Sequence, residues 1–223
     1  MEGLLALEAE AKYFFGATDR AYEQELNEEL LKIVAEAELL FGPRDRSYEL
    51  LAPRITECGF AHPRILPLRK IRIYLTRFSK TRYYASLELA HETVHVLGPT
   101  EGGATVLEEG LATYFSHRYV DRVYGLQFEE HPLYAAALRA VTPLLTKNEF
   151  VIKELRIHQP YISKIDERLL VEVAGVEPDQ AKFLCSDMRV IGRTSQSRAE
   201  YAARGGQLFV DGFRSFWDRR KSG

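Results

Sequence analysis

Apolar residues recur at helical spacing along most of this chain, a pattern that predicts a mainly helical protein. The longest predicted helix has a regular apolar stripe and ends before Gly42-Pro43. A shorter stripe begins at Leu87 and ends before Gly98-Pro99, a pair that stops helices. Helices are predicted at residues 2–15, 18–41, 87–97, 105–124, 133–145, 148–157, 165–173, 178–185 and 197–219.

Strand-like alternation is confined to one region before residue 90. Residues 71–76 alternate and are rich in β-branched side chains, which predicts a strand, and residues 82–84 are predicted to be a short return strand. A short helix is predicted within 45–58 and a loop at 61–67. The fold class is therefore α+β, mostly helical, with a small sheet beside the helix at 87–97. Residues 1–60 form a predicted N-terminal helical segment and residues 61–223 a second domain, unless both belong to one continuous domain.

Composition and charge narrow the classes of function. The 223 residues are 46% hydrophobic and 28% charged, which is typical of a globular domain, and the net charge of −2 gives no general attraction to nucleic acid or membranes. No apolar run is long enough to span a bilayer, and the N-terminus is acidic where a secretory signal would be basic. A cytoplasmic location is the expectation. The sequence leaves the oligomeric state open.

The candidate chemistry is concentrated in the motif His91-Glu92-Thr93-Val94-His95. On a helix, residues four apart lie on one face, so the two histidines can bind one zinc ion. Glu92 lies about 100° further round the helix, where it cannot easily bind the same metal but can reach a water molecule on it. Because such a water needs a base, Glu92 is predicted to be that base.

A zinc site of this kind needs a third protein ligand and an open fourth position. Glu109 is the first candidate, because Thr105-x-x-Glu108 is typical of a capping box and places Glu109 in the first turn of a second helix. Small residues on the face of Glu109 would let the two helices approach closely. They are Ala112, Thr113 and Ser116. Glu101 is the alternative ligand, six residues after His95.

This arrangement resembles the gluzincin metallopeptidases of the thermolysin and aminopeptidase-N types. Their third ligand is a Glu on the helix after the motif helix, often within Glu-Gly-(aromatic or Leu)-Ala, and Glu109-Gly110-Leu111-Ala112 matches that pattern. The likeness covers about 30 residues. Thirteen residues separate His95 from Glu109, fewer than is usual in those types, so the intervening loop must be tight.

Two other zinc schemes give different ligands. The Glu101 alternative resembles the metzincin layout, with Glu in place of the usual His. A third scheme, that of peptide deformylase, would use Cys58 as a ligand, although the residues around Cys58 do not match that family's cysteine motif.

The gluzincin resemblance implies a zincin-like fold for residues 61–223 and zinc-dependent hydrolysis of a peptide bond in a peptide or protein substrate. It makes His91, His95 and Glu109 the metal ligands and Glu92 the general base. Thermolysin-like enzymes place an Asp four residues after the third ligand to orient a ligand His, whereas this chain has Thr113 there. The competing hypothesis is a binding or regulatory protein that keeps the zinc but has lost turnover.

Tyr201 is predicted to stabilise the oxyanion. The segment Tyr201-Ala202-Ala203-Arg204-Gly205 resembles the Tyr-x-Lys-Gly segment of aminopeptidase-type gluzincins, with one extra residue before the Gly and Arg in place of Lys. The alternative for this Tyr is a core position in the last helix. Other candidates by residue type are Tyr83, Tyr114, His117, His131, His158 and Tyr161, with His158 and Tyr161 next in line.

Overall fold

The computed structural model describes residues 20–56, 59–127 and 132–189. Within them the chain forms seven α-helices and one three-stranded sheet, which confirms the predicted fold class. The helices are α1 (Arg20–Phe41), α2 (Arg82–Val96), α3 (Val106–Tyr124), α4 (Pro132–Lys147), α5 (Val151–His158), α6 (Glu167–Ala174) and α7 (Pro178–Leu184). The strands are β1 (Glu49–Ile55), β2 (His62–Leu66) and β3 (Lys70–Leu75), and short 3₁₀ helices cover Arg77–Lys80 and Ile162–Lys164.

The predicted helix within 45–58 and the predicted loop at 61–67 are both wrong, because strands β1 and β2 occupy these residues. A proline in each stretch suggested a break in secondary structure, but each proline lies at a position where the sheet tolerates it. Pro53 lies in an irregularity of β1 between Leu51 and Arg54, where the pairing with β3 is interrupted. Pro63 lies on β2, which is an edge strand, and both are positions where a missing N–H is tolerated.

The predicted strand at 82–84 is also wrong, because these residues form the first turn of α2. Tyr83 and Tyr84 have the β propensity that suggested a strand. Both rings are buried and lie 4.5 Å apart between centroids, so tertiary packing overrides the local preference. The predicted helix at 197–219 lies outside the described residues, as does the one at 2–15.

The sheet has the strand order β1-β3-β2, with β1 parallel and β2 antiparallel to the central strand β3. Ile71, Ile73 and Leu75 alternate along β3 and are buried against the helical layer, where α2 packs. The turn from β2 to β3 holds Leu68 and Arg69 at φ values of 62° and 54°, a left-handed conformation that tight hairpins require. No strand in the described part of the chain pairs with the other edge of β2.

The helices that carry the metal motif pack closely on each other. The predicted small residues of α3 are fully buried, namely Ala112, Thr113 and Ser116. On another side of α3, Gly110 meets α4 so closely that an added Cβ would lie 2.6 Å from the carbonyl oxygen of Ala137. Helix α3 therefore lies wedged between α2 and α4 by its smallest side chains.

Arg156 joins the ends of α1 and α2. Its guanidinium donates hydrogen bonds to the carbonyl oxygens that follow the last turns of these helices and to one carbonyl beyond its own helix α5. The acceptors are Phe41, Gly42, Pro43, Leu97 and Pro160. Helix C-termini leave carbonyl groups without hydrogen-bond donors, and here one buried side chain supplies donors to the ends of two helices. Leu97 lies two residues after His95, so this contact anchors the end of the motif helix.

Residues on both sides of position 60 share one hydrophobic core. Helix α1 packs on α2, and β1 pairs with β3. Tyr22 near the start of α1 donates a hydrogen bond of 2.6 Å to the carbonyl oxygen of Ser79. In the part of the chain that the structure describes, no helix has both the length and the apolar character needed to cross a membrane.

Candidate metal centre

Helices α2 and α3 bring His91, His95 and Glu109 to one point. Nε2 of His91 lies 3.2 Å from Oε2 of Glu109, and Nε2 of His95 lies 3.9 Å from Oε1 of the same carboxylate. One potential ligand atom from each residue lies within 4.8 Å of the other two. Ligands bound about 2.0–2.1 Å from a tetrahedral zinc ion lie about 3.3–3.4 Å apart, so small side-chain shifts would complete such a site.

Local sequence explains how the three side chains meet. The four-residue spacing puts His91 and His95 on one face of α2, with ring centroids 5.4 Å apart. Thr105 caps α3 by accepting a hydrogen bond from the backbone N–H of Glu108, and this places Glu109 in the first turn. Glu101 lies exposed on the loop between the helices and does not belong to this group of potential ligands.

Glu108 has a role that the sequence analysis missed. The capping-box pattern predicts that its carboxylate turns back to the cap residue, but Oε1 of Glu108 instead lies 3.1 Å from Nδ1 of His95. That contact leaves Nε2 of His95 directed toward Glu109. A carboxylate on the far nitrogen of a histidine ligand fixes the tautomer and the orientation of the ring. The one available signal was the adjacent pair Glu108-Glu109 in the first turn of α3.

Thr113 and Tyr134 also support the ligands. Thr113 is buried and donates a 2.8 Å hydrogen bond to the backbone carbonyl of Glu109, so it holds the helical turn and not a histidine ring. Tyr134 of α4 meets His91 edge to face, with centroids 5.7 Å apart at 89°. Orientation of the ligands is therefore divided between Glu108 and Tyr134, and no Asp is present at position 113.

The electrostatics of the group are those of paired ions. Burial lowers the pKa of His95, but Glu109, Glu108 and Glu92 outweigh burial and raise that pKa to about 10. Burial also opposes the raised pKa of His91, which the carboxylates of Glu109 and Glu92 produce. For Glu109, burial favours the neutral acid, yet the two histidines keep its pKa below the usual range. At neutral pH the metal-free group therefore holds the imidazolium ring of His95 against the carboxylate of Glu109.

Glu92 lies beside the three candidate ligands and does not belong to their group. It is 6% exposed and lines the same cleft as both histidines. Burial raises the pKa of its carboxyl, and the nearby histidines oppose this rise only in part. A carboxylate with a raised pKa in a cleft is suited to taking up a proton and giving it back.

The cleft over this group has a volume of about 320 Å³. Its walls are the edge of β2, the loop at 99–104 between α2 and α3, and Tyr134 of α4. Four residues at the edge of β2 line it, namely Ala61, His62, Pro63 and Ile65. An extended chain in the cleft would thus lie next to a free strand edge.

The predicted oxyanion donors are not brought to the cleft by the described part of the chain. Tyr201 and His131 lie outside the described residues, as does Cys58, so those predictions stay as they were. None of the remaining candidates lines the cleft, namely Tyr83, Tyr114, His117, His158 and Tyr161. His62 and Tyr134 do line it and carry donor groups. His62 was missed because its Pro63 neighbour made the stretch read as a loop, and no pattern pointed to Tyr134.

Comparisons with protein-family models, with curated proteins and with solved structures give no significant match to this chain.

Proposed function

We propose that this protein is a zinc-dependent hydrolase that cleaves peptide bonds. The observation that carries the proposal is the meeting of His91, His95 and Glu109 with the buried Glu92 beside them in one cleft. Two imidazoles and one carboxylate are the ligand set of catalytic zinc sites that keep a fourth position open for water or substrate. A structural zinc site would instead be closed by a fourth protein ligand.

The described residues fit zinc in chemistry as well as in spacing. His95 has a carboxylate on its far nitrogen, which is the common arrangement around a zinc-bound histidine. Zinc held by His91, His95 and Glu109 would lower the pKa of a bound water and polarise a substrate carbonyl. The carboxylate of Glu109 balances part of the charge of the ion in this buried place.

Glu92 is the proposed general base and acid. Its carboxylate takes a proton from the attacking water as the C–O bond forms, and passes that proton to the amine as the C–N bond breaks. The raised pKa of Glu92 favours the first half of this transfer, since the protonated form is reached more easily than for an exposed Glu. Tyr134 and Tyr201 are the candidate donors to the developing oxyanion.

The cleft accommodates an extended peptide beside the proposed reaction centre. The edge of β2 that pairs with no described strand offers main-chain groups to an extended chain, and the cleft runs from that edge to the motif helix. Main-chain pairing of this kind favours peptides over compact small molecules, because each added residue can bond to the strand.

Hydrolysis of a peptide library by the zinc-loaded protein and by Glu92→Gln tests the proposal. The variant should bind zinc as the wild type does and lose about 10²–10⁴-fold in kcat, because only proton transfer is removed. Glu101→Gln is the matched control, since it changes an exposed carboxylate on the neighbouring loop. Loss of zinc from Glu92→Gln, or full activity in it, would contradict the assignment. A zinc-loaded wild type that cleaves no peptide would favour the binding protein.

A further inference from the structure

The face of the sheet opposite the core carries three arginines, Arg54 of β1, Arg64 of β2 and Arg72 of β3. Strand register places them together. Arg64 lies directly opposite Arg72 in the antiparallel pair, and Arg54 is the partner of Tyr74, the next residue of β3 on the same face. Neighbouring strands are about 4.7–4.9 Å apart, so the three arginine side chains start from neighbouring positions on one face. We call this surface the arginine face.

The three arginines of this face have no counter-charge among the residues that the structure describes. Lys70 on the same side of β3 pairs with Glu49 at 3.3 Å, whereas the structure gives none of the three arginines a hydrogen bond or ion pair with a described residue. Nε of Arg72 is shielded from solvent and bonds to nothing in the described part of the chain. Like charges directly opposite each other destabilise a sheet, so an anionic partner would remove a cost that the free protein carries.

The arginine face adjoins the proposed reaction cleft through β2. Pro63 and Ile65 line the cleft, and Arg64 lies between them with its exposed side chain on the outer face. A peptide that paired with the free edge of β2 would direct alternate side chains to that outer face. The Cβ atom opposite Arg64 would then lie about 4.5–5.5 Å from that of Arg64.

We propose that the protein selects peptide substrates with an acidic residue at the position opposite Arg64. Arg64 makes the direct ion pair, and Arg72 adds its charge from the next strand. This inference rests on the proposed function, since it uses the same cleft and adds the substrate class.

An acidic peptide suits this surface better than a nucleic acid. The two rings on the face, His62 and Tyr74, stack on each other at 5.5 Å and 19°, so they cover one another's faces. Single-stranded nucleic acids bind through open aromatic platforms and a long basic groove. Here the cations form a compact group, and the strand edge beside them provides main-chain partners.

Binding of labelled peptides to zinc-loaded Glu92→Gln separates recognition from turnover. One extended decapeptide carries Glu at alternate positions, and its counterpart carries Gln there. The Glu peptide should bind about tenfold more tightly at low salt, as one charge-assisted contact would give, and this preference should shrink as salt is added. Arg64→Glu should abolish or reverse the preference, and Arg64→Gln should give an intermediate loss. Arg139→Glu, which changes an exposed arginine of α4 away from the sheet, should leave it unchanged.

Equal binding of the two peptides, or an unchanged preference in a folded Arg64→Glu or Arg64→Gln variant, would overturn the inference. A single-stranded oligonucleotide that binds more tightly than the Glu peptide and is lost in Arg64→Glu would also overturn it, and would assign the arginine face to nucleic acid. Hydrolysis by the wild type is measured separately. Hydrolysis without the Glu preference rejects this inference alone, and the Glu preference without hydrolysis rejects the proposed function alone.

Discussion

At the residue scale, Glu108 and Glu109 are neighbours in the chain but contact different atoms of the candidate metal centre. Glu109 lies against Nε2 of both histidines, and Glu108 lies against Nδ1 of His95. Adjacent residues on a helix are about 100° apart, so one first turn can supply a ligand and the group that orients another ligand. The two carboxylates therefore have separable effects on metal binding.

Substitution of each carboxylate should resolve these effects. Glu109→Ala should reduce zinc occupancy severely, because a ligand is lost. Glu108→Gln should weaken zinc binding by about 10–100-fold, the usual effect of losing a group that orients a ligand. Glu101→Ala should leave zinc binding nearly intact, since Glu101 is exposed and outside the group. Metal titrations with a competing chelator measure all three.

Opposite results for Glu101 and Glu109 would move the protein to the metzincin-like layout. Equal losses in Glu108→Gln and Glu109→Ala would mean that both carboxylates bind the ion directly.

The residues of the candidate metal centre could be predicted from the sequence because helix geometry is local. A spacing of four residues puts two histidines on one face whatever the rest of the chain does, and a capping pattern places Glu109 in a first turn. Whether the carboxylate of Glu108 contacts the cap residue or His95 depends on tertiary packing. The positions of His62 and Tyr134 also depend on tertiary packing, namely on a sheet edge and on α4.

At the scale of elements, the site depends on the close approach of α3 to α4. Gly110 follows Glu109 directly, and an added Cβ at Gly110 would lie 2.7 Å from Cγ1 of Val141 as well as close to the backbone of α4. Backbone cannot move aside as a flexible side chain can. Any larger residue at 110 must therefore push the first turn of α3, and Glu109 with it, away from its present place.

Gly110→Ala should destabilise the protein by about 1–3 kcal/mol, the cost of overpacking a close contact, and should also weaken zinc binding. Thermal unfolding and a zinc titration measure the two effects. Gly59→Ala is the matched control, because an added Cβ there meets no atom of the described residues within 4 Å. A Gly110→Ala variant with unchanged stability and unchanged zinc affinity would show that α3 and α4 can separate freely.

Helices were easier to predict than strands in this chain for a physical reason. A helix of three or more turns repeats its pattern several times, as α3 does across 19 residues. Strands β1 and β2 have seven and five residues, and each contains a proline that is tolerated only because of where its strand lies in the sheet. The position of a strand in the sheet depends on its partner strand, and no local sequence pattern contains that information.

At the scale of the whole molecule, the paired ions of the metal centre make stability depend on pH. The pKa of His95 rises from 6.5 to about 10 in the metal-free protein, with burial opposing and the carboxylates causing the rise. A raised pKa means that the folded state binds the proton more tightly. The stabilisation is fully present below the ordinary pKa and is lost as the pH rises through the raised one.

Metal-free protein should therefore lose stability between pH 6.5 and about 10, and zinc-loaded protein should lose less, because its histidines are already neutral. Chemical unfolding across this range measures the difference. His95→Gln, in its metal-free form, should show a flatter profile than the wild type. Identical slopes in the metal-free wild type and in His95→Gln would contradict the predicted linkage.

The contacts of Glu109 and Glu108 with the two histidines also bear on how the protein responds to a changing supply of metal. Each histidine has a carboxylate partner without any ion, so a metal-free centre leaves neither histidine unpaired. Zinc fingers unfold when their metal leaves, because nothing else holds their ligands together. This chain has a large hydrophobic core and a self-paired group of side chains, so we expect the proposed zinc centre to empty and refill in a folded protein. A shortage of zinc would then leave the protein folded and inactive, and renewed supply would restore it without new synthesis.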